Sequence, residues 1–323
     1  MIKTKVTEML GCKYPIIAGT MANISNPEFV AAVSNAGACA VLASANYKTP
    51  EELREAIRKT QSLTDKPFAV NINLFPAMMP QEKLERYVAA TLDEGAKIIE
   101  TSGHKAPADL VPKFKEGGAI WIHKCAGVRY AKTGASLGAD MITVVGYENG
   151  GATGTLDIGT LVMTPCVVDA IDVPVIAGGG ITDGRGIAAV LALGAEGVIM
   201  GTRMMATQEC PIHDNLKQAF VQAQETDTHL VMRSIRNTHR VWRNKAAEKI
   251  IELESKKAPL QEIIQVASGQ NALKMYREGD IDAGMVSCGQ GIGLIKDIPT
   301  VKDLLDRMME EAETVINKLK ASL

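Results

Sequence analysis

Five times along the chain, a segment with apolar residues at helical spacing ends in Gly-Ala or Gly-Gly and runs straight into a short apolar, β-branched stretch. The phrases are NAGACAVLA (35–43), DEGAKIIET (93–101), KEGGAIWIH (115–123), SLGADMITVVG (136–146) and LALGAEGVIMG (191–201). Glycine just past a helix accepts positive φ without a Cβ clash, and a parallel strand buried on both faces reads as a continuous apolar run. Each phrase therefore predicts a helix-to-strand junction. Three further strands start after a proline or a proline-containing turn: YPIIAG (14–19), KPFAVNINL (66–74) and VPVIAGG (173–179).

Between most of these runs lie helical patterns such as NPEFVAAVSNAG (26–37), PEELREAIRKTQ (50–61) and GRGIAAVLALG (184–194). Eight strand–helix units within the first two hundred or so residues predict an α/β fold of the (β/α)8 TIM-barrel class, with a doubly wound open sheet as the alternative. Past Arg203 the rhythm stops. Residues 210–285 read as a mostly helical insertion or cap, so the barrel is assigned to 1–209 and 286–323, with the amphipathic tail TVKDLLDRMMEEAETVINKLKASL packing back as a last helix.

Composition narrows the partners. Lys plus Arg (35) nearly balance Asp plus Glu (37), which gives no electrostatic grip on nucleic acid and favours a small-molecule substrate. No apolar stretch approaches the roughly 18 residues of a membrane span, so a soluble cytoplasmic protein is expected, with a homo-oligomer compatible. The six cysteines form no CxxC pair or His-Cys cluster, so neither a disulfide framework nor a metal site is expected.

In a barrel the loops after the strands carry the chemistry. Here they include AGTMANIS (18–25), TSGHKAP (101–107), HKCAG (123–127), GYENGGATGT (146–155), AGGGITDGRG (177–186) and GTRMMA (201–206), rich in glycine, small hydroxyls and amides. Such a surface suits an anionic planar ligand. Backbone amides around Gly179, Gly180, Gly201 and Thr202, with the helix opening near Asp183, predict a phosphate site; the glycines could alternatively serve only tight turns. The segment VMRSIRNTHRVWRN carries Arg233, Arg236, His239, Arg240 and Arg243 around Trp242; it reads either as a contact for an anionic coenzyme or as a solvated helix face.

AGTMANIS, FAVNINLF, GYENGGATG, VIAGGGITDGRGIAAVLALGAEGVIMGTRMMATQEC and CGQGIGLI together resemble the nitronate monooxygenases (2-nitropropane dioxygenases), a family that includes the FMN-dependent type II enoyl-acyl carrier protein reductases. The resemblance implies a barrel that holds FMN noncovalently. It places Ala18, Gly19, Thr20, Asn71 and Lys124 at the isoalloxazine and Gly151 towards the phosphate. It puts Gly179, Gly180, Gly201 and Thr202 on the phosphate itself, and Gln290 and Gly291 at a late flavin-edge segment. NAD(P)H is a compatible reductant.

One departure stands out. The resembled enzymes carry a proton-transferring histidine where this chain reads Glu148-Asn149-Gly150-Gly151-Ala152, so alanine stands at the histidine position. His104 or His123, with Tyr147 or Glu148 as hydrogen-bond partner, is the expected replacement, and His213, His229 and His239 are expected at the surface of the insertion. The functions left open are an FMN oxidoreductase of the nitronate monooxygenase type, an NAD(P)H-dependent reductase of activated alkenes, a flavin-binding module without turnover, and a flavin-free barrel acting on a phosphorylated substrate.

Overall fold

The computed structural model describes residues 2–74, 81–103 and 105–322. Eleven strands occur among them: β1 (Ile16–Ala18), β2 (Cys39–Ala43), β3 (Phe68–Asn73), β4 (Ile98–Ser102), β5 (Ile120–Cys125), β6 (Met141–Val145), β7 (Gly151–Ala152), β8 (Val175–Gly178), β9 (Gly197–Met200), β10 (Thr228–Val231) and β11 (His239–Trp242). Strands β1 to β6, β8 and β9 form a closed barrel, sealed by parallel pairing of β9 with β1. The chain is a (β/α)8 barrel. The glycine of each of the five junction phrases has positive φ: Gly37, Gly95, Gly118, Gly138 and Gly194. A side chain there would meet the strain of the left-handed region.

Strand alternation sorts the barrel residues into two sets. Ile17, Val41, Ala69, Ile98, Ile122, Met141, Ile176 and Ile199 point inward into one aliphatic core. Val6 and Leu10 of the first helix, Lys5–Leu10, join that core and plug one end of the barrel. The alternate residues, such as Ile16, Leu42, Ile99, Trp121 and Ile142, pack outward against the helices. The last helix, Val301–Ala321, lies on Gly184–Ala192 so closely that a Cβ at Gly184 would stand 2.3 Å from the Met308 carbonyl oxygen.

The segment after β9 is not purely helical. Helices Asp214–Gln222, Lys245–Ser255, Leu260–Val266 and Gly269–Glu278 are present, but β10 and β11 form an antiparallel hairpin between the first two. The basic stretch expected as a solvated helix face is therefore partly a strand. β11 also pairs with β7, which belongs to the loop after β6, so the insertion and the barrel share a three-stranded sheet. The chain then returns through Gln290–Leu294, and just beyond it Asp297 accepts from buried Arg203 at 3.0 Å and from Arg307. No described helix is long and apolar enough to cross a membrane.

Candidate active site at the mouth of the barrel

Two residues beyond four of the eight inward aliphatic positions, the same alternation brings a polar side chain to the barrel mouth; beyond the other four it brings glycine or alanine. Asn71 follows Ala69, Glu100 follows Ile98, Lys124 follows Ile122 and Thr143 follows Met141. Glu100 is the hub, although sequence reasoning missed it. Its carboxylate, 1% exposed, accepts from Asn71 Nδ2 and Thr20 Oγ1, each at 2.6 Å, and pairs with Lys124 Nζ at 3.1 Å. Three donors on one buried acid compensate its desolvation and fix three side chains expected at the flavin ring. Thr143 Oγ1 is buried in this layer without a partner, which suits a ligand atom arriving from the mouth.

Beside this layer the loops after β8 and β9 form a cradle of backbone. Gly179 and Gly180 have φ of 105° and 73°, and a Cβ at Gly179 would stand 2.8 Å from Thr160 Oγ1. The amides of Gly179, Gly180, Gly201 and Thr202 donate to no carbonyl among the described residues. The helix N-terminus near Asp183, by contrast, is already satisfied: Asp183 Oδ1 accepts from Gly186 N at 3.1 Å and Glu311 Oε2 from Gly184 N at 2.8 Å. Arg185 pairs with both carboxylates, so this helix end is closed on its own side chains, and the glycine amides are left for a phosphate.

The return segment closes the cradle. Gly289 N donates to Thr202 Oγ1 at 2.9 Å, Gln290 N donates to the Glu148 carbonyl at 3.0 Å, and a Cβ at Gly291 would stand 3.2 Å from the Gly180 carbonyl. Gly151, at φ 79°, faces Ser287. Cys288 is fully buried and burial pushes its thiol well above the ordinary value, so it packs rather than reacts.

The expected proton-transfer groups fare differently. His104 lies outside the described residues. His123 sits on β5 one residue after inward-facing Ile122, so it points outward; it is 1% exposed, packed on Trp121 and against Gly134, with Nδ1 3.0 Å from Thr101 Oγ1. Burial lowers its pKa to about 4, against a smaller opposing effect of Glu100. It is a neutral core imidazole behind the sheet, which corrects the expectation of a proton donor at the mouth. Glu148 accepts from Thr160 N and Oγ1, each at 2.9 Å, and so caps the helix Thr160–Val168. Tyr147 lies under the Arg240 guanidinium, 4.5 Å from ring centre to carbon. The Glu148 carboxylate is thus engaged at Thr160, and neither Tyr147 nor Glu148 hydrogen-bonds His123, whose partner is Thr101.

His239, expected at the surface of a helical insertion, is on β11 directly opposite Ala152. Thr153 N donates to the Thr238 carbonyl at 3.2 Å, so the neighbouring pair 152/239 is of the non-hydrogen-bonded kind. Side chains of such a pair share a face and approach to roughly 5 Å between Cβ atoms. An imidazole therefore stands one strand away from the position where the sequence has alanine.

A sequence model of the family described as nitronate monooxygenase matches residues 3–311. The chain belongs to the nitronate monooxygenase family. It is 34% identical, over 99% of its length and 98% of the relative's, to a (3aS,4S,5R,7aS)-5-hydroxy-7a-methyl-1-oxo-octahydro-1H-indene-4-carboxyl-CoA dehydrogenase of Rhodococcus jostii. It is 32% identical, over 70% of its length and 75% of the relative's, to a probable nitronate monooxygenase of Staphylococcus saprophyticus. Its fold superposes on FabK from Thermotoga maritima with a TM-score of 0.93, 33% identity and complete coverage of both chains. This nitronate monooxygenase family member is thus an oxidoreductase of an FMN-dependent family. The residues fit that cofactor: unpaired glycine amides suit its phosphate, and the Asn71–Glu100–Lys124 layer with its orphaned Thr143 hydroxyl suits a polar ring edge.

Two tests follow from the geometry. Glu100→Gln keeps the shape but removes the charge beside Lys124, and is expected to cost about 1.5–3 kcal/mol of stability and to weaken FMN binding; wild-type unfolding midpoint and FMN affinity in the variant would refute the hub. For His123 the folded pKa of about 4 lies below the ordinary 6.5. Above pH 6.5 neither state binds the proton; between the two values the unfolded state binds it and stability falls as the pH falls; below 4 the loss levels off, at a total on the order of 3 kcal/mol. Denaturant unfolding of His123→Gln should show a flatter pH dependence across that window, and an equally steep curve would show that the site does not contribute.

Proposed function

We propose that the protein uses FMN to pass electrons from NAD(P)H to the carbon–carbon double bond of an α,β-unsaturated acyl thioester. The observation that carries this reading is the docking of β11 on Gly151–Ala152, which brings His239 of the insertion to the face of the β6 loop. Relatives matched from end to end, insertion included, support it: the chain covers nearly all of a carboxyl-CoA dehydrogenase and all of FabK, but only 75% of the staphylococcal nitronate monooxygenase.

Bound FMN would supply two-electron transfer between the nicotinamide and the substrate carbon. The chain's residues supply the rest. Glu100 holds Asn71, Thr20 and Lys124 in one arrangement at the ring edge, so their donors need no reorganisation when charge develops there. The amides of Gly179, Gly180, Gly201 and Thr202 would hold the FMN phosphate. Saturating an alkene next to a carbonyl puts an electron pair and a proton on the β-carbon and a second proton on the α-carbon. His239 holds that second proton; its N–H bond breaks as the α-carbon–hydrogen bond forms, and water reprotonates the imidazole.

Oxidation of nitronates is a second reading, supported by the family match and the staphylococcal relative. FMN-loaded protein reduced by NADH or NADPH without oxygen separates the two. Reoxidation of that reduced protein by a trans-2-enoyl-CoA, with no reduction of the oxidised protein by a nitronate, supports the thioester reading; reduction of oxidised FMN by a nitronate at least about tenfold faster than by NADH or NADPH, with no reoxidation by the enoyl thioester, refutes it. His239→Gln is expected to slow the enoyl-dependent step by about two to four orders of magnitude. The double variant Ala152→His/His239→Gln should recover at least about tenfold, since the two side chains share a face; no recovery and no loss would remove His239 from the reaction.

A further inference from the structure

On the face of the three-stranded sheet that carries Arg240 and Thr228, a cavity of about 690 Å3 is lined by Tyr147, Thr226, Thr228, Leu230, Arg240 and Gln290. Arg240 is its unusual member. It is 3% exposed, yet both of its hydrogen bonds go to neutral oxygens: Nε donates to the Tyr147 carbonyl at 3.1 Å and Nη1 to Thr228 Oγ1 at 3.0 Å. Nη2 is buried with no partner. A buried guanidinium met only by neutral groups and an aromatic face carries a large desolvation penalty that an anion would offset.

The surroundings suit a phosphoryl group in particular. The Thr228 hydroxyl already accepts from Arg240, so its own proton is available to donate, and the Thr226 hydroxyl and Gln290 amide add donors on other sides. Arginine presents paired donors that match phosphate oxygens, and the Tyr147 ring below keeps the guanidinium plane fixed. The volume exceeds what a lone phosphate fills and suits part of a nucleotide. Glu225 is the one acid on the lining and it is exposed, so it bears on the entrance more than on the buried cation. Tyr147 and Gln290 directly adjoin Glu148 and Gly289, whose backbones join the FMN cradle, so the cavity neighbours the flavin site without using its amides.

We infer that this cavity is a second anion site, in which Arg240 anchors a phosphate or diphosphate of a nucleotide-bearing co-substrate. Its assignment to a co-substrate rests on the function proposed above; the anion binding itself does not. The test uses FMN-loaded protein and measures equilibrium binding of inorganic pyrophosphate, NADPH and coenzyme A, with FMN content as the control. Wild type is expected to bind pyrophosphate saturably and in competition with one of the two nucleotides. Competition with NADPH assigns the site to the electron donor, competition with coenzyme A to the acyl carrier, and competition with neither overturns the proposal.

Arg240→Met is expected to weaken pyrophosphate binding at least tenfold with FMN content unchanged. Because Arg240 also ties Tyr147 to Thr228, Leu230→Asp serves as an independent variant that places a negative charge on the lining, and it should lose binding to a similar degree. Glu225→Gln should bind more tightly. Affinities equal to wild type in Arg240→Met and Leu230→Asp, or no saturable binding by wild type, would contradict the inference. Intact pyrophosphate binding with no electron transfer to any enoyl thioester would count against the proposed function alone.

Discussion

The antiparallel pairing of β11 with Gly151 and Ala152 is the contact on which the site depends. A barrel by itself offers a mouth of glycine loops and one polar layer. The pairing adds an inserted hairpin above that mouth and sets its register, so His239 faces Ala152 while Arg240 takes the opposite face over Tyr147. A slip of one residue would exchange those faces. The register is held from both sides: Arg240 Nε reaches the Tyr147 carbonyl, and the return segment hydrogen-bonds the loop after β6 through Gln290. Close packing at Gly150, where a Cβ would stand 2.7 Å from the Cys288 carbonyl carbon, leaves room only for glycine.

Beneath this, the barrel's alternation builds the polar layer from strand residues rather than loops. Asn71, Glu100, Lys124 and Thr143 occupy the inward positions just above the aliphatic core. Being on strands, they are held by the ladder itself and are more rigid than loop residues would be. The Glu100–Lys124 pair is of more use for positioning than for stability, because its desolvation offsets much of its attraction.

The eight-strand barrel was legible because each junction glycine marks a strand start and buried parallel strands read as plain apolar runs. The glycine cradle was legible for the same local reason. Glu100 lies within the strand IIETS, where an acid carries no local signal of function; only its place two residues on from inward Ile98 marks it as a mouth residue. The same parity shows why His123 fails: Ile122 and Lys124 face in, so His123 between them faces out. The hairpin was missed because its strands are four residues each, and Arg233, Arg236 and Arg243 around them, with Arg240 in β11, imitate a solvated helix face. Its pairing with residues 151–152, some ninety positions earlier, leaves no local signal at all. Glu148 resembles a free acid until the fold brings Thr160 to it.

The most direct measurement is a crystal structure of the protein with FMN bound. The account predicts the phosphate on the amides of Gly179, Gly180, Gly201 and Thr202, Asn71 and Lys124 at the ring edge, and the His239 imidazole over the ring, within hydrogen-bond reach of a substrate atom stacked there. A phosphate seated elsewhere, or a His239 side chain turned away from the ring, would contradict it.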